Sequence, residues 1–209
     1  MTEKIIIHSF GFNDRSGKVR WLAEELGLEV EEIEVTEHRA FPYRDLNPYG
    51  AIPTVIFRNK TLTESTAICH HLAEHFPEHK MRIPVEHDER FSFLRIVALF
   101  SESLEGRTVD YLLGKIGIYA KEFQTLNQRT LDFKYRILLN ELPKDGFLVG
   151  NRFTLADIIA CYNLRNAISA GLIEWDHVKS YILPLAARPA AKRAHFFDAI
   201  EDKLLDEAQ

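Results

Sequence analysis

The residues best placed to do chemistry lie in two short runs, Asn47-Pro48-Tyr49-Gly50-Ala51-Ile52-Pro53-Thr54 and Thr63-Glu64-Ser65. Pro53 has no backbone donor, so it belongs at the first residue of a strand or at a sheet edge. Glu64 and Ser65 open a helical run, where unpaired backbone amides and the helix dipole favour an anion such as a carboxylate. Ser65 adds a hydroxyl donor there, and Glu64 suits an ammonium group through a charge-assisted bond. Taken alone, Thr63-Glu64-Ser65 also reads as a helix cap.

The elements that position these runs follow from periodicity. Extended segments are expected at Lys4 to Ser9, Val30 to Thr36, Thr54 to Phe57 and Thr61 to Leu62, with helices at Ser16 to Leu26 and Glu64 to Phe76. Val19, Leu22, Ala23 and Leu26 recur at helical spacing, and Gly27 stops that helix. The order βαβ, an irregular stretch, then ββα predicts a mixed four-stranded sheet with helices on its faces. Beyond Pro77 only helical periodicity remains, punctuated by Gly106, Pro143, Gly146, Gly150, Gly171 and Pro184. The expected division is therefore a first domain over 1–78, a linker over 79–87 and an all-helical domain over 88–209. Thr154-Leu155-Ala156-Asp157 can form a capping box, with Phe153 placed to pack on Ile158.

Composition narrows the function classes. Residues 1–78 hold 13 acidic and 8 basic side chains, and the remainder 18 of each, so neither half offers a basic face for nucleic acid or anionic lipid. No apolar run approaches the roughly 18 residues of a membrane span, and the start runs straight into a strand pattern. The expectation is a soluble, cytoplasmic protein. Cys69 and Cys161 sit among apolar residues as buried, reduced thiols rather than in a disulfide framework. His71-Leu72-Ala73-Glu74-His75 fits a His-x-x-Glu-His zinc pattern, but Ile68, Leu72 and Phe76 form an apolar stripe on the same helix and no third ligand is evident. No metal site is expected.

A βαβ-ββα module with proline opening its third strand resembles the thioredoxin fold, and the helical second half points to the cytosolic glutathione S-transferase superfamily. The resemblance rests on Ala51-Ile52-Pro53-Thr54, on Leu62-Thr63-Glu64-Ser65-Thr66-Ala67-Ile68, and on Phe147 to Asp157, which is similar to the opening of the central helix of that family's second domain. It implies a theta-like or β-etherase-like bacterial type, a cis Ile52-Pro53 bond, and glutathione as co-substrate. Ile52 would then pair its backbone with the tripeptide as an added strand does. Ser65 and Glu64 would meet the γ-glutamyl carboxylate and ammonium. His38 and Arg39 match positions that serve the glycyl carboxylate in theta-like members, and Arg39 is preferred because guanidinium stays charged and can bind bidentately.

Activation requires the bound thiol to ionise, and lowering a pKa of about 8.5 by roughly two units takes about 3 kcal/mol. Members of the family place Tyr, Ser or Cys in the loop after the first strand. Here that loop reads Ser9-Phe10-Gly11-Phe12-Asn13-Asp14-Arg15-Ser16, and Asn13 stands where serine-type members keep their hydroxyl. Its amide can donate to a thiolate but cannot exchange a proton. Ser16 matches in register the serine of β-etherase-like members, and Ser9 is a third candidate. Capping the first helix is the alternative role for Asn13 and Ser16. Phe10 and Phe12, with Phe100 and Leu104, are expected either to wall a pocket for an apolar electrophile or to be core residues. The resemblance implies a homodimer that activates glutathione for transfer, with a lyase, a reductase or a non-catalytic glutathione-binding protein of the same fold as alternatives.

Overall fold

The computed structural model describes residues 3–11 and 13–207. The chain forms two compact units, Met1–Arg82 with Ala187–Asp198, and Ile83–Ala186 with Ala199–Gln209.

In the first unit, strand β1 (Lys4–Ser9), helix α1 (Ser16–Glu25), β2 (Glu29–Glu34), α2 (Tyr43–Leu46), β3 (Thr54–Phe57), β4 (Lys60–Leu62) and α3 (Ser65–His75) follow in order. The sheet order is β2-β1-β3-β4, with β1 and β2 parallel and the other pairs antiparallel. Strand alternation decides which face is core. Ile5 and Ile7 of β1 lie opposite Phe57 and Val55 of β3, all of them buried, on the face packed by α1 and α3. His8 points to the other face, where its ring lies 6.1 Å from that of Tyr43 in α2.

Residues 187–198 group with the first unit. The reason is Trp21 of α1, wholly buried and packed on Phe196 and Phe197 at centroid distances of 4.5 and 5.5 Å. Arg188 closes the same contact with two 2.7 Å bonds to Glu25, and Arg193 reaches Glu24 at 2.6 Å.

The second unit is helical throughout its regular structure: α4 (Arg90–Ala98), a π-helical stretch Leu99–Glu105, α5 (Gly106–Lys115), α6 (Lys121–Glu141), α7 (Leu155–Ser169) and α8 (Lys179–Ala186). Two short helices follow, α9 (Pro189–Arg193) in the first unit and α10 (Glu201–Asp206) in the second. Gly106 and Pro184, expected as breaks, both lie inside helical runs. Glycine weakens a helix without stopping it, and here the π stretch is braced from outside. Lys134 donates to the Ser103 carbonyl at 3.2 Å and Asn127 to the Arg107 carbonyl at 2.7 Å. No helix among the described residues is long and apolar enough to cross a membrane.

Helix α7 is buried along nearly its whole length and starts with the capping box that the sequence predicts. The Thr154 hydroxyl accepts from the Ala156 amide, and the Asp157 carboxylate accepts from the Thr154 amide at 2.8 Å. Asp157 also accepts from the Leu148 amide at 3.0 Å and the Tyr181 hydroxyl at 2.9 Å. One carboxylate thus ties the preceding loop, the cap and α8 together. Replacing Thr154 with Ala should cost about 1–2 kcal/mol in urea unfolding, as for other caps. Asp157→Ala should cost more, roughly 3 kcal/mol or above, because it strands several buried donors at once.

Candidate functional site

The expected groove lies entirely in the first unit. Ile52–Pro53 is cis, as is Phe41–Pro42. Pro53 is buried at the entry to β3, and Ile52 is half-buried just ahead of it. Among the described residues, neither the amide nor the carbonyl of Ile52 makes a backbone hydrogen bond. The loop around them is held by side chains from the irregular stretch. The Tyr43 hydroxyl donates to the Ala51 carbonyl at 2.7 Å and shares a 2.6 Å bond with the Thr54 hydroxyl. Asn47 donates to the same carbonyl at 2.9 Å and to Thr54 at 3.0 Å. These bonds close with one proton assignment, in which Thr54 donates to Tyr43, Tyr43 to Ala51, and Asn47 to both acceptors.

Gly50 lets this loop lie against residues 38 and 39. Its φ is +57°, and a Cβ there would stand 2.8 Å from the His38 carbonyl oxygen. His38 is half-buried and edge-on to Phe10 at 4.9 Å, while Arg39 is exposed. Both therefore flank the loop that carries Ile52, on the side reached through Gly50.

At the start of α3 Glu64 is exposed and has φ +65° and ψ 102°, an uncommon conformation for a residue with a side chain. Its side chain makes no capping bond, so the first amides of the helix are not closed off by it. Ser65 follows, 7% exposed. Such conformations persist where surrounding structure fixes them, and the Glu64 carbonyl is held by the Ile68 amide at 2.9 Å.

The loop after β1 is organised by residues the sequence reading passed over. Asp14, one residue ahead of the Arg15 N-cap, braces the start of α1: its carboxylate accepts from the Ser16 amide at 2.6 Å and from the Phe10 amide. The Ser16 hydroxyl is buried and committed, accepting from Arg20 at 3.0 Å and lying 3.5 Å from the Gly11 carbonyl. Ser9 is buried as well, donating to Glu32 and accepting from the Gly11 amide at 3.1 Å. Asn13 is exposed at the turn of this loop. Phe10 is 48% exposed, whereas Phe12 lies outside the described residues. Phe100 and Leu104 sit in the π-helical stretch of the second unit and are fully buried. A motif at Asp14-x-Ser16 was available in the sequence as an Asx turn. Tyr43 and Asn47 were passed over because the partners that fasten the loop, Ala51 and Thr54, lie 4 to 11 residues onward.

His71 and His75 share a face of α3, their ring centroids 4.2 Å apart, with both rings against Phe57. His75 Nδ1 lies 2.9 Å from the His71 carbonyl oxygen. Among the described residues no group of three or more His, Cys, Asp or Glu side chains is placed to hold an ion.

Comparison with known proteins adds the following. Residues 4–74 match the family model "Glutathione S-transferase, N-terminal domain", and residues 119–189 match "Glutathione S-transferase, C-terminal domain". The chain is 24% identical over 155 residues to glutathione S-transferase GstA of Escherichia coli O157:H7, covering 73% of this chain and 76% of that protein. It is 30% identical over 157 residues to glutathione S-transferase 1 of Schizosaccharomyces pombe, covering 68% and 66%. Among solved structures, the glutathione transferase URE2P6 of Phanerochaete chrysosporium, in complex with oxidized glutathione, superposes with a TM-score of 0.78 at 22% identity, over 92% of this chain and 94% of that one.

Burial holds the His8 imidazole below its ordinary value, against smaller opposing effects of the Thr54 backbone and Glu31. A depressed folded-state pKa means the unfolded chain takes up the proton first. The stability His8 supports is therefore present above the unfolded value of about 6.5 and is lost as pH falls through the lower folded value. Urea midpoints measured between about pH 7 and pH 5 should fall less steeply in His8→Gln than in wild type.

Proposed function

This chain belongs to the glutathione S-transferase family, and from that premise we propose that it binds glutathione and activates its thiol for attack on an electrophilic, largely apolar small molecule. The observation that carries the reading is the unpaired backbone of Ile52 beside Pro53, in the same unit as the open amide end of α3. A peptide lying along Ile52 gains main-chain hydrogen bonds as an added strand does. Its γ-glutamyl carboxylate then falls to the Ser65 hydroxyl and the first amides of α3, where the helix dipole favours negative charge. Glu64 takes the ammonium group, and Arg39, with His38 beside it, takes the glycyl carboxylate.

Asn13 is the group proposed to meet the sulfur. Its amide donates to a thiolate more strongly than to a neutral thiol, and that difference is what lowers a thiol pKa. Phe10, half exposed, offers apolar surface for the second substrate. With the proton released to solvent, the thiolate forms a carbon–sulfur bond to the electrophile and displaces its leaving group or adds to it. The same family reading takes the protein as a cytoplasmic homodimer, and light scattering of the purified protein tests the oligomeric part.

A second reading is favoured by the commitment of the Ser9 and Ser16 hydroxyls to internal bonds. A site that offers the sulfur only an amide could hold glutathione without ionising it, as a binding or regulatory protein would. Ultraviolet titration of the thiolate on the bound tripeptide separates the two. Bound glutathione in wild type should titrate well below free glutathione, by roughly two units, and Asn13→Ala should give most of that shift back. A wild-type titration no lower than that of free glutathione leaves only the binding role. Ser65→Ala should weaken glutathione binding about tenfold or more by calorimetry, the cost of one bond to a charged group. Unchanged affinity would refute the assignment of the groove.

A further inference from the structure

We infer that Arg20, Glu32 and Ser9 are positioning residues for the thiol-activating loop: they grip both sides of the Gly11 peptide and so fix where Asn13 stands. This inference rests on the proposed role of Asn13 and deepens it.

Gly11 is held at each of its polar backbone atoms. Its amide donates to the Ser9 hydroxyl at 3.1 Å, and its carbonyl accepts from Arg20 at 3.0 Å. Both grips trace back to one carboxylate. Glu32 of β2 accepts from the Ser9 hydroxyl and from two nitrogens of Arg20, the Nε contact being 2.9 Å. The Arg20 guanidinium, only 5% exposed, also donates to the Ser16 hydroxyl at 3.0 Å. Strand β1, strand β2 and helix α1 therefore meet at a single peptide of the loop. Gly11 has φ +117°, a conformation that only glycine takes up readily, so the backbone at this point is set by its partners rather than by local preference. Asp14 closes the far side through the Phe10 and Ser16 amides. Between these two clamps stands Asn13, exposed and two residues from the gripped carbonyl.

An ion pair this enclosed adds little net stability over an apolar packing of the same volume, since desolvation offsets most of its attraction. Its geometry is what an apolar replacement could not reproduce. With Nε–H and one Nη2 hydrogen on Glu32, the second Nη2 hydrogen is shared between the Gly11 carbonyl and the Ser16 hydroxyl, and lysine, a point charge with a rotating head, has no such fork. Glu32 also neutralises Arg20, so the cation is spent on holding the loop rather than on attracting the thiolate.

The test is the ultraviolet titration of bound glutathione together with its calorimetric affinity, in wild type and in Arg20→Lys, Arg20→Gln, Glu32→Gln and Ser9→Ala. Arg20→Gln, Glu32→Gln and Ser9→Ala should raise the bound thiol's pKa by about one unit, a roughly tenfold loss of thiolate relative to thiol, with affinity for the protonated tripeptide, measured at about pH 5.5, changed less than about twofold. Arg20→Lys should fall between wild type and Arg20→Gln. Should the Arg20 variants fail to fold, Ser9→Ala, which keeps the ion pair, carries the same two outcomes. Variants that titrate as wild type does would overturn the inference, as would a parallel loss of that low-pH affinity, which marks general structural damage. A bound thiol pKa lowered by Glu32→Gln would overturn it too, because it would make Arg20 a source of field. If wild type itself shows no lowered pKa while binding glutathione, the parent reading fails, and that result is distinguishable from all of these.

Discussion

The carbonyl of Ala51 is the point on which the proposed glutathione groove depends. It accepts from Tyr43 and from Asn47, and both side chains also reach Thr54 at the first residue of β3. Without this fastening, the run from Asn47 to Pro53 would be a surface loop with little apolar burial of its own, and such loops open at low free energy. With it, Ile52 is presented at a fixed place just ahead of β3 with its polar backbone atoms still available. Two neutral hydroxyls and one amide do this work, each bond contributing about 1 kcal/mol, and buried together they reinforce one another.

The two ends of the site differ in kind. The end proposed to hold the peptide uses main-chain groups, a helix terminus and a fastened loop, all of which follow from the thioredoxin-like topology. The end proposed to meet the sulfur depends on a loop of irregular conformation gripped by an ion pair and an Asx turn. Holding is thereby separated from activating, and the family assignment bears more heavily on the first than on the second. Fold fixes where a peptide can lie, whereas the chemistry depends on single side chains in a loop that tolerates change.

Much of the first unit was legible in the sequence because its signals are local. Alternation in Lys4 to Ser9 and helical spacing in Val19, Leu22 and Ala23 gave strands and helices within a residue or two of their ends. Pro53, Glu64 and Ser65 were legible for the same reason, since a missing donor and a helix start are properties of a few adjacent residues. What escaped was non-local. Tyr43 and Asn47 matter through partners across a turn, Arg20 through a strand twelve residues away, and Trp21 through aromatic residues near the other end of the chain. Gly106 misled because a glycine reads as a break until the bracing from Lys134 and Asn127 is seen. For Phe100 and Leu104 the sequence left two roles open, because helical spacing does not say whether an apolar face meets a ligand or the core.

The most direct measurement of where glutathione lies is the amide nitrogen–proton spectrum of the isotopically labelled protein, recorded as glutathione is added. The expected result is a saturable change centred on the amides of Ile52 and Ser65, with smaller changes at Arg39 and Asn13 and none in the interior of α7. Saturable changes that leave Ile52 and Ser65 unmoved, or no saturable change at all, would contradict the groove proposed for this protein.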